Sequence, residues 1–151
     1  MFDGSGRYRY QLGRRWAAGG PVVAFVMLNP STADAERDDP TIRRCAGFAR
    51  RWGFAAMTVV NLFALRATDP ARLRRASDPV GPANDGHIAA AAAGADAVVL
   101  AWGAHGDLRG RDRDVLALLA GVRPACLGVT RGGQPRHPLY LPRATRRRPF
   151  R

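Results

Sequence analysis

The sequence predicts an α/β protein, a single-domain three-layer sandwich with a mostly parallel central sheet of about four strands. Short apolar runs alternate with segments of helical spacing, which is typical of parallel strands joined by crossover helices. The main runs are apolar on both faces, as strands covered by helices on either side are. A chain of 151 residues with 46% hydrophobic residues suffices for one buried core. We therefore expect one domain over residues 1–151.

The strands are predicted from apolar runs. An alternating, aromatic stretch at 7–16 indicates an N-terminal strand or hairpin within 1–20. The sheet strands then follow in chain order, at 21–28, 56–63, 95–103 and 123–130. Residues 143–151 form a basic tail, for which a solvated, partly disordered end and a phosphate-binding arm both stay open.

The helices are predicted from their start signals. Asp39 suits an N-cap and Pro40 the first helical position of a helix that ends at Gly53. Asp69-Pro70 and Asp78-Pro79 repeat this signal, so each predicts a short helix or a turn. Two further helices are expected at about 82–93 and at 111–121.

The charge indicates a polyanionic partner. The formal net charge is +12 and the sequence pI about 11.5, which favours nucleic acid or nucleotides. All 24 basic residues are arginine, so compositional bias contributes to this charge. No apolar run reaches the roughly 20 residues of a membrane span. The N-terminus lacks a signal-peptide core, and Cys45 and Cys126 lie far apart, so we expect a cytoplasmic protein with reduced thiols, although one bridge stays open. The oligomeric state is undetermined, with a monomer favoured.

Polar and unusual residues follow each predicted strand. Because the carboxyl ends of parallel strands meet at one sheet edge, these residues predict a shared cleft that binds a nucleobase or nucleotide. The candidate ligand-binding residues are Asn29, Pro30, Ser31, Thr32, Asn61, Phe63, Trp102, Gly103, His137, Leu139 and Tyr140.

Several of these residues also have a purely structural interpretation. Ser31 and Asp34 fit an S-x-x-D capping box, and Asn29 adds an amide that can hold a water or a heterocycle. Trp102 suits either base stacking or the core. His137 suits either a structural or a catalytic role, and Leu139 and Tyr140 suit either a wedge into stacked nucleic acid or the docking of the C-terminal segment.

The acidic stretch that contains Asp34 and Asp39 allows three interpretations. The carboxylates can compensate the helix dipole, one can act as a general base, or a pair can hold Mg²⁺ with a substrate phosphate. The spacing matches no specific metal motif, so we predict no metal and no cofactor. Arg43 and Arg44 follow in the first helical turn, where they can bind phosphate or pair with the acids.

Two family resemblances appear at these residues. The segments "MLNPSTAD", "DDPTIRRC", "VVNLFALRATDP", "DPVGPAND", "AWG" and "PRHPLYL" resemble a bacterial and phage family of unknown function, over nearly the whole chain. The ordered motifs Met27 to Ser31, Val60-Asn61, Val98 to Gly103 and His137 to Leu139 more distantly resemble the uracil-DNA glycosylase superfamily.

The second resemblance implies a uracil-DNA-glycosylase-like fold and specific roles. Asn29 would orient the attacking water, and His137 would stabilise the departing base. Leu139 and Tyr140 would fill the space left by a flipped nucleotide, while Arg131 and Arg136 would hold phosphates.

We therefore expect a glycosylase-like protein that binds a nucleobase and hydrolyses N-glycosidic bonds in nucleic acid. A non-catalytic nucleic-acid-binding module and a metal-dependent enzyme on free nucleotides are the alternatives.

Overall fold

A six-stranded mixed sheet forms the centre of the protein. The computed structural model describes residues 1–150. Its strands are β1 (Leu12–Arg15), β2 (Val22–Met27), β3 (Ala56–Asn61), β4 (Ala97–Leu100), β5 (Ala125–Cys126) and β6 (Arg148–Pro149), in the sheet order β1-β3-β2-β4-β5-β6. The middle four are parallel, and β1 and β6 are antiparallel edge strands. The α/β class and the four parallel strands are confirmed at shorter bounds, but the sheet has six strands instead of about four.

Two of the helices begin at the predicted caps, Asp39 and Asp69. They are α1 (Pro40–Arg51), α2 (Pro70–Arg75), α3 (Asn84–Gly94) and α4 (Arg111–Leu118), with a short 3₁₀ segment within Ala104–Gly110. The Asp39 side chain accepts a hydrogen bond from the Ile42 N–H, and Asp69 accepts one from the Ala71 N–H. Asp78 instead closes a turn, since its carboxylate accepts from the Gly81 N–H.

The helices cover both faces of the sheet. On one face, Ala24 and Val26 of β2 share a buried cluster with residues of α2, α3 and α4. On the other face, Val23 and Phe25 share a second cluster with residues of α1. This explains why β2 is apolar on both sides. Cys45 and Cys126 are both buried and free, as expected.

The C-terminal segment is ordered against the sheet. Arg148–Pro149 pairs with β5, and the buried Phe150 donates its N–H to the Pro124 carbonyl oxygen. Residues 148–150 are therefore ordered through strand pairing and the buried Phe150, although Arg148 and Pro149 are exposed to solvent; Arg151 lies outside the described residues. Within residues 1–150, no helix is long and apolar enough to cross a membrane.

Candidate functional site

A cavity of 170 Å³ lies at the carboxyl ends of β2 and β3. The strand register places Met27 opposite Asn61, and the two chain segments stay side by side beyond the strands because the Ala67 N–H donates to the Pro30 oxygen. The cavity is lined by Arg9, Met27, Leu28, Asn29, Pro30, Ser31, Asp39, Thr41, Ile42, Val59, Asn61, Ala67, Thr68 and His137. It lies at the sheet edge where the sequence predicted a cleft.

Asn61 presents an unused amide to this cavity. The residue is 1% exposed, and within residues 1–150 neither its Oδ1 nor its Nδ2 has a hydrogen-bond partner. Leaving a buried polar group unpaired costs about 1–3 kcal/mol. The amide therefore has one donor group and one acceptor that no group within residues 1–150 uses.

Arg9 is a buried cation that the sequence analysis missed. It is 2% exposed, and its Nη1 donates to the Ala33 oxygen at 3.0 Å, while its Nε has no partner within the described chain. Within residues 1–150, no carboxylate oxygen lies within 4.0 Å of its guanidinium. Burial lowers the pKa of Arg9 to about 10, against the attraction of Asp39. Arg9 therefore remains charged at neutral pH and can donate to a ligand oxygen.

The position of Arg9 follows from the antiparallel edge strand. β1 runs against β3, so the residues before β1 lie beyond the carboxyl end of β3, where the Arg9 N–H donates to the Ala64 oxygen. The sequence shows alternating Arg and Tyr at 7–10, which marks a strand but not its neighbour. Only the pairing with β3 brings this arginine to the cavity.

Asp39 links the cavity to α1. Its Oδ1 accepts from the Ile42 N–H at 2.8 Å and its Oδ2 from the Ala33 N–H at 3.4 Å. The carboxylate is buried and lines the cavity. Its capping role is thus confirmed, and the same group forms part of the cavity wall.

His137 lines the cavity as a half-buried imidazole. Burial lowers its pKa, and the nearby Asp39 carboxylate opposes that shift. The Leu139 N–H donates to His137 Nδ1 at 3.1 Å. Since Nδ1 accepts, the neutral ring carries its proton on Nε2. Gly103 packs against the His137 side chain, because a Cβ at position 103 would lie 3.3 Å from His137 Cβ and 4.0 Å from the ring atom Cδ2.

Asn29 is held by its amide nitrogen. Nδ2 donates to the oxygens of Ala67 at 2.7 Å and Pro30 at 3.1 Å. These bonds fix the side chain at the cavity wall and leave Oδ1 as an acceptor for a water or a ligand.

The loop before α1 differs from the predicted capping box. Pro30 and Ser31 line the cavity, whereas Thr32 is exposed. The Ser31–Asp34 box is wrong, because the N-cap of α1 is Asp39. Asp34 closes a local turn, and the bonds from the Glu36 and Arg37 N–H groups lower the pKa of its carboxyl. Asp34 is not among the residues that line the cavity.

Phe63 and Trp102 belong to the core. Both are almost fully buried in the cluster beneath α2, α3 and α4, and the Trp102 Nε1–H donates to Gln134 Oε1 at 2.8 Å. Trp102 therefore matches its alternative as a core residue, and neither ring is among the residues that line the cavity. Gly103 has a positive φ of 82°, packs against His137 and is not among the residues that line the cavity.

Leu139 and Tyr140 follow His137 at the surface. Leu139 is half-buried, whereas Tyr140 is 91% exposed and has a φ of +71°. A tyrosine in this left-handed region is strained. The structure thus places an exposed aromatic ring three residues after His137.

The four arginines predicted to bind phosphate lie outside the cavity wall. Arg43 and Arg44 line a separate recess of 430 Å³ on the outer side of α1, with Arg51 and Arg143. Arg44 also donates to the Leu141 oxygen. Arg131 and Arg136 are both exposed and do not line the cavity, and the Arg136 Nε–H donates to the Val129 oxygen at 3.2 Å.

A second arginine cluster, which the sequence analysis missed, adjoins the cavity. Arg7, Arg66 and Arg72 line a recess of 300 Å³, hereafter the arginine recess. Ser31, Ala67 and Thr68 line both this recess and the cavity. The three arginines come from the N-terminal segment, the loop after β3 and α2, so no local motif announces them.

The acidic residues before α1 do not converge. Asp38 pairs with Arg14 at 2.8 Å, Asp34 closes its turn, and Asp39 caps α1. Within the described part of the chain, no group of three or more His, Cys, Asp or Glu side chains has the geometry to hold a metal ion.

Comparison with known proteins identifies one family. The model of the family described as "Protein of unknown function (DUF1643)" matches residues 9–139. No curated protein and no solved structure matches the chain. The resemblance to the uracil-DNA glycosylase superfamily therefore stays a prediction.

Proposed function

Because the chain belongs to the DUF1643 family, whose function is unknown, we propose a function from the cavity itself. The protein binds one nucleobase of a nucleic acid in the cavity and hydrolyses the N-glycosidic bond of that nucleotide.

The observation that carries this proposal is the unpartnered amide of Asn61. Within residues 1–150, neither its Oδ1 nor its Nδ2 has a hydrogen-bond partner, and Asn61 lines the cavity. One donor beside one acceptor matches the neighbouring N–H and C=O groups on the edge of a pyrimidine. Arg9 supplies a further, charged donor in the same cavity for a carbonyl oxygen of that ring.

The size of the cavity favours a single ring. An engineered protein cavity of about 150 Å³ takes up benzene. The 170 Å³ here therefore suits a six-membered heterocycle better than a purine or an entire nucleotide.

His137 supports the departure of the base. Heterolysis of the C1′–N bond leaves the electron pair on the base and a cationic sugar. A neutral imidazole with its proton on Nε2 donates to the anionic base without adding a proton to it. The lowered pKa of His137 keeps this neutral form populated at neutral pH.

Asn29 and Asp39 support the attacking water. Asn29 Oδ1 accepts one water hydrogen, and the water oxygen forms the new bond to C1′. The Asp39 carboxylate takes the proton that the water loses, as a general base in the cavity wall. Tyr140, which is exposed three residues after His137, contacts the neighbouring bases of the strand.

The test is base release from oligonucleotides in EDTA. The substrates carry uracil, hypoxanthine, xanthine or a bulky modified pyrimidine, and abasic sites are detected by strand cleavage. We expect release of a pyrimidine, reduced about 100-fold or more in Asn29→Ala and His137→Ala. His105→Ala removes an exposed histidine outside the cavity and serves as the matched control.

The result also separates the alternative function. Full activity in His137→Ala would refute the role of the imidazole. Absence of release from every substrate, with salt-dependent binding retained, would replace hydrolysis by a non-catalytic nucleic-acid-binding module. The arginines of the two surface recesses favour that module as the second candidate.

A further inference from the structure

The arginine recess shares part of its wall with the cavity, and the charged side chains that line it are all arginines. Its lining contains Arg7, Arg66 and Arg72, and no acidic residue among the described part of the chain. The shared wall presents two hydroxyls, Ser31 and Thr68, between the guanidinium groups and the cavity. A polar cavity, a pair of hydroxyl groups and a group of arginines, arranged in this order, suit a ligand with an uncharged ring at one end and an anion at the other.

Within residues 1–150, no carboxylate oxygen lies within 4.0 Å of the three guanidinium groups, although the charge of Arg66 contributes to the lowered pKa of the Asp34 carboxyl. The close ion pairs of this range join Arg14 to Asp38 and Arg111 to Asp85. Arg66 has only a long hydrogen bond of 3.5 Å from Nη1 to the Gly6 oxygen, and its guanidinium lies 4.9 Å from the centre of the Phe2 ring. Stacking holds the group in place without neutralising it.

The arginine recess is electrostatically coupled to the cavity. Repulsion by Arg66 adds to burial in lowering the pKa of Arg9. Two cations close enough to repel each other are stabilised when an anion binds between or beside them. The neighbouring unpartnered Nε of the buried Arg9 points to the same requirement.

We propose that the arginine recess binds the phosphate of the nucleotide whose base occupies the cavity. Arg7, Arg66 and Arg72 contact the phosphate oxygens, and the sugar lies against Ser31 and Thr68. This inference rests on the proposed function and sharpens it, since the ligand is then a nucleotide unit instead of a free base or a nucleoside. A phosphomonoester and the phosphodiester of a strand both offer anionic non-bridging oxygens to these arginines.

The experiment compares ligands with and without phosphate by calorimetry. The probes are deoxyuridine, deoxyuridine 5′-monophosphate, a single-stranded oligodeoxyuridine and inorganic phosphate. The variants are Arg7→Gln/Arg72→Gln, in which both changed side chains are exposed, and Arg66→Gln. As the control, Arg113→Gln/Arg123→Gln removes the same charge from two exposed arginines that lie outside the cavity and the surface recesses.

The expected result is selective. Affinity for the monophosphate or the oligonucleotide falls about 10-fold or more in the recess variants, and affinity for deoxyuridine stays within about two-fold. The log–log slope of oligonucleotide binding against salt becomes shallower by about 0.7 for each phosphate that the variant no longer neutralises. The monophosphate arm detects a free nucleotide ligand, and the oligonucleotide arm detects a strand.

Other outcomes refute one proposal at a time. Equal binding of deoxyuridine and its phosphorylated forms would overturn the phosphate site and leave base binding intact. Binding of inorganic phosphate that depends on the arginine recess, without binding of deoxyuridine, would keep the phosphate site and overturn the base site. An equal decrease in phosphate-dependent affinity in the Arg113→Gln/Arg123→Gln control would show an effect of net charge. It would overturn the proposal that the arginine recess binds the phosphate.

Discussion

Asn84 supports the strand end that carries Asn61. Its Nδ2 donates to the backbone oxygens of Asn61 at 2.9 Å and Leu62 at 3.1 Å, and the Arg111 Nε–H donates to the same Leu62 oxygen at 2.7 Å. The backbone at the end of β3 is therefore satisfied, whereas the Asn61 side chain is not. The two buried asparagines thus differ, because Asn84 uses its Nδ2 and leaves only its Oδ1 without a partner, whereas neither amide atom of Asn61 has one within residues 1–150.

Asn84→Ala should destabilise the fold. The change removes two buried hydrogen bonds and should lower the free energy of unfolding by about 1–3 kcal/mol. Urea denaturation followed by circular dichroism measures this change. A free energy of unfolding within error of the wild-type value would mean that a water molecule replaces the hydrogen bonds of the Asn84 amide without loss of stability.

Asn61→Leu should have the opposite profile. Leucine has a similar volume and removes an unpaired buried amide, so the free energy of unfolding should stay equal or rise by up to about 2 kcal/mol. Base binding should be abolished in calorimetry. A strongly destabilised protein would instead show that the native amide is paired, and retained binding would show that it does not contact the base.

His137 should couple stability to pH. Its folded-state pKa is lowered by burial, so the unfolded chain binds a proton more readily. The contribution of the neutral His137 to the free energy of unfolding is complete above the unfolded pKa of about 6.5. It is lost as the pH falls from that value through the lower pKa of the folded state. Urea midpoints from about pH 7.5 to about pH 5 should fall, with a shallower decline in His137→Gln. The pKa of His87 is lowered as well, so the His87→Gln variant shows how much of the pH dependence comes from that residue. If the decline of the urea midpoint with pH is unchanged in His137→Gln, the pH dependence does not come from His137.

Tyr140→Gly should separate stability from binding. Glycine accepts the φ of +71°, which relieves a strain of about 1–2 kcal/mol but adds unfolded-state entropy, so the net change in stability should lie within about 1 kcal/mol. Removal of a ring that stacks on a base should weaken oligonucleotide binding about 10-fold. Unchanged binding in a fluorescence titration would show that the ring does not contact the strand.

Phe150→Ala should test the attachment of the C-terminal segment. The buried ring packs in the core cluster beneath α2, α3 and α4, so truncation should cost about 3 kcal/mol of unfolding free energy. The exposed Arg146→Ala is the control and should be nearly neutral. A decrease below about 1 kcal/mol would mean that the edge strand contributes little to the fold.

Much of the local structure was predictable from short-range patterns. Asp39-Pro40 and Asp69-Pro70 begin helices as expected, because a cap and a proline act within one helical turn. Asp78-Pro79 carries the same signal and forms a turn. The Ser31–Asp34 pattern before α1 predicted a capping box that is absent, because Asp34 accepts hydrogen bonds from neighbouring N–H groups in a turn and not at the start of a helix.

The prediction that the residues after the strands line the cleft is correct for some of them and not for others. Asn29, Asn61 and His137 do line the cavity, whereas Phe63 and Trp102 face the core. Order along the chain identifies the edge of a sheet, but the direction of each side chain depends on how the loop leaves the strand.

The sequence by itself determined the α/β class, the parallel strands, the helix caps and the polar edge, because each depends on spacing within one element or on the general geometry of parallel sheets. Tertiary structure alone decided that Arg9 enters the cavity, that Arg7, Arg66 and Arg72 gather beside it, and that the basic C-terminal segment closes the sheet. These contacts join residues far apart in the chain, and their partners are selected by strand pairing and burial, which no local pattern encodes.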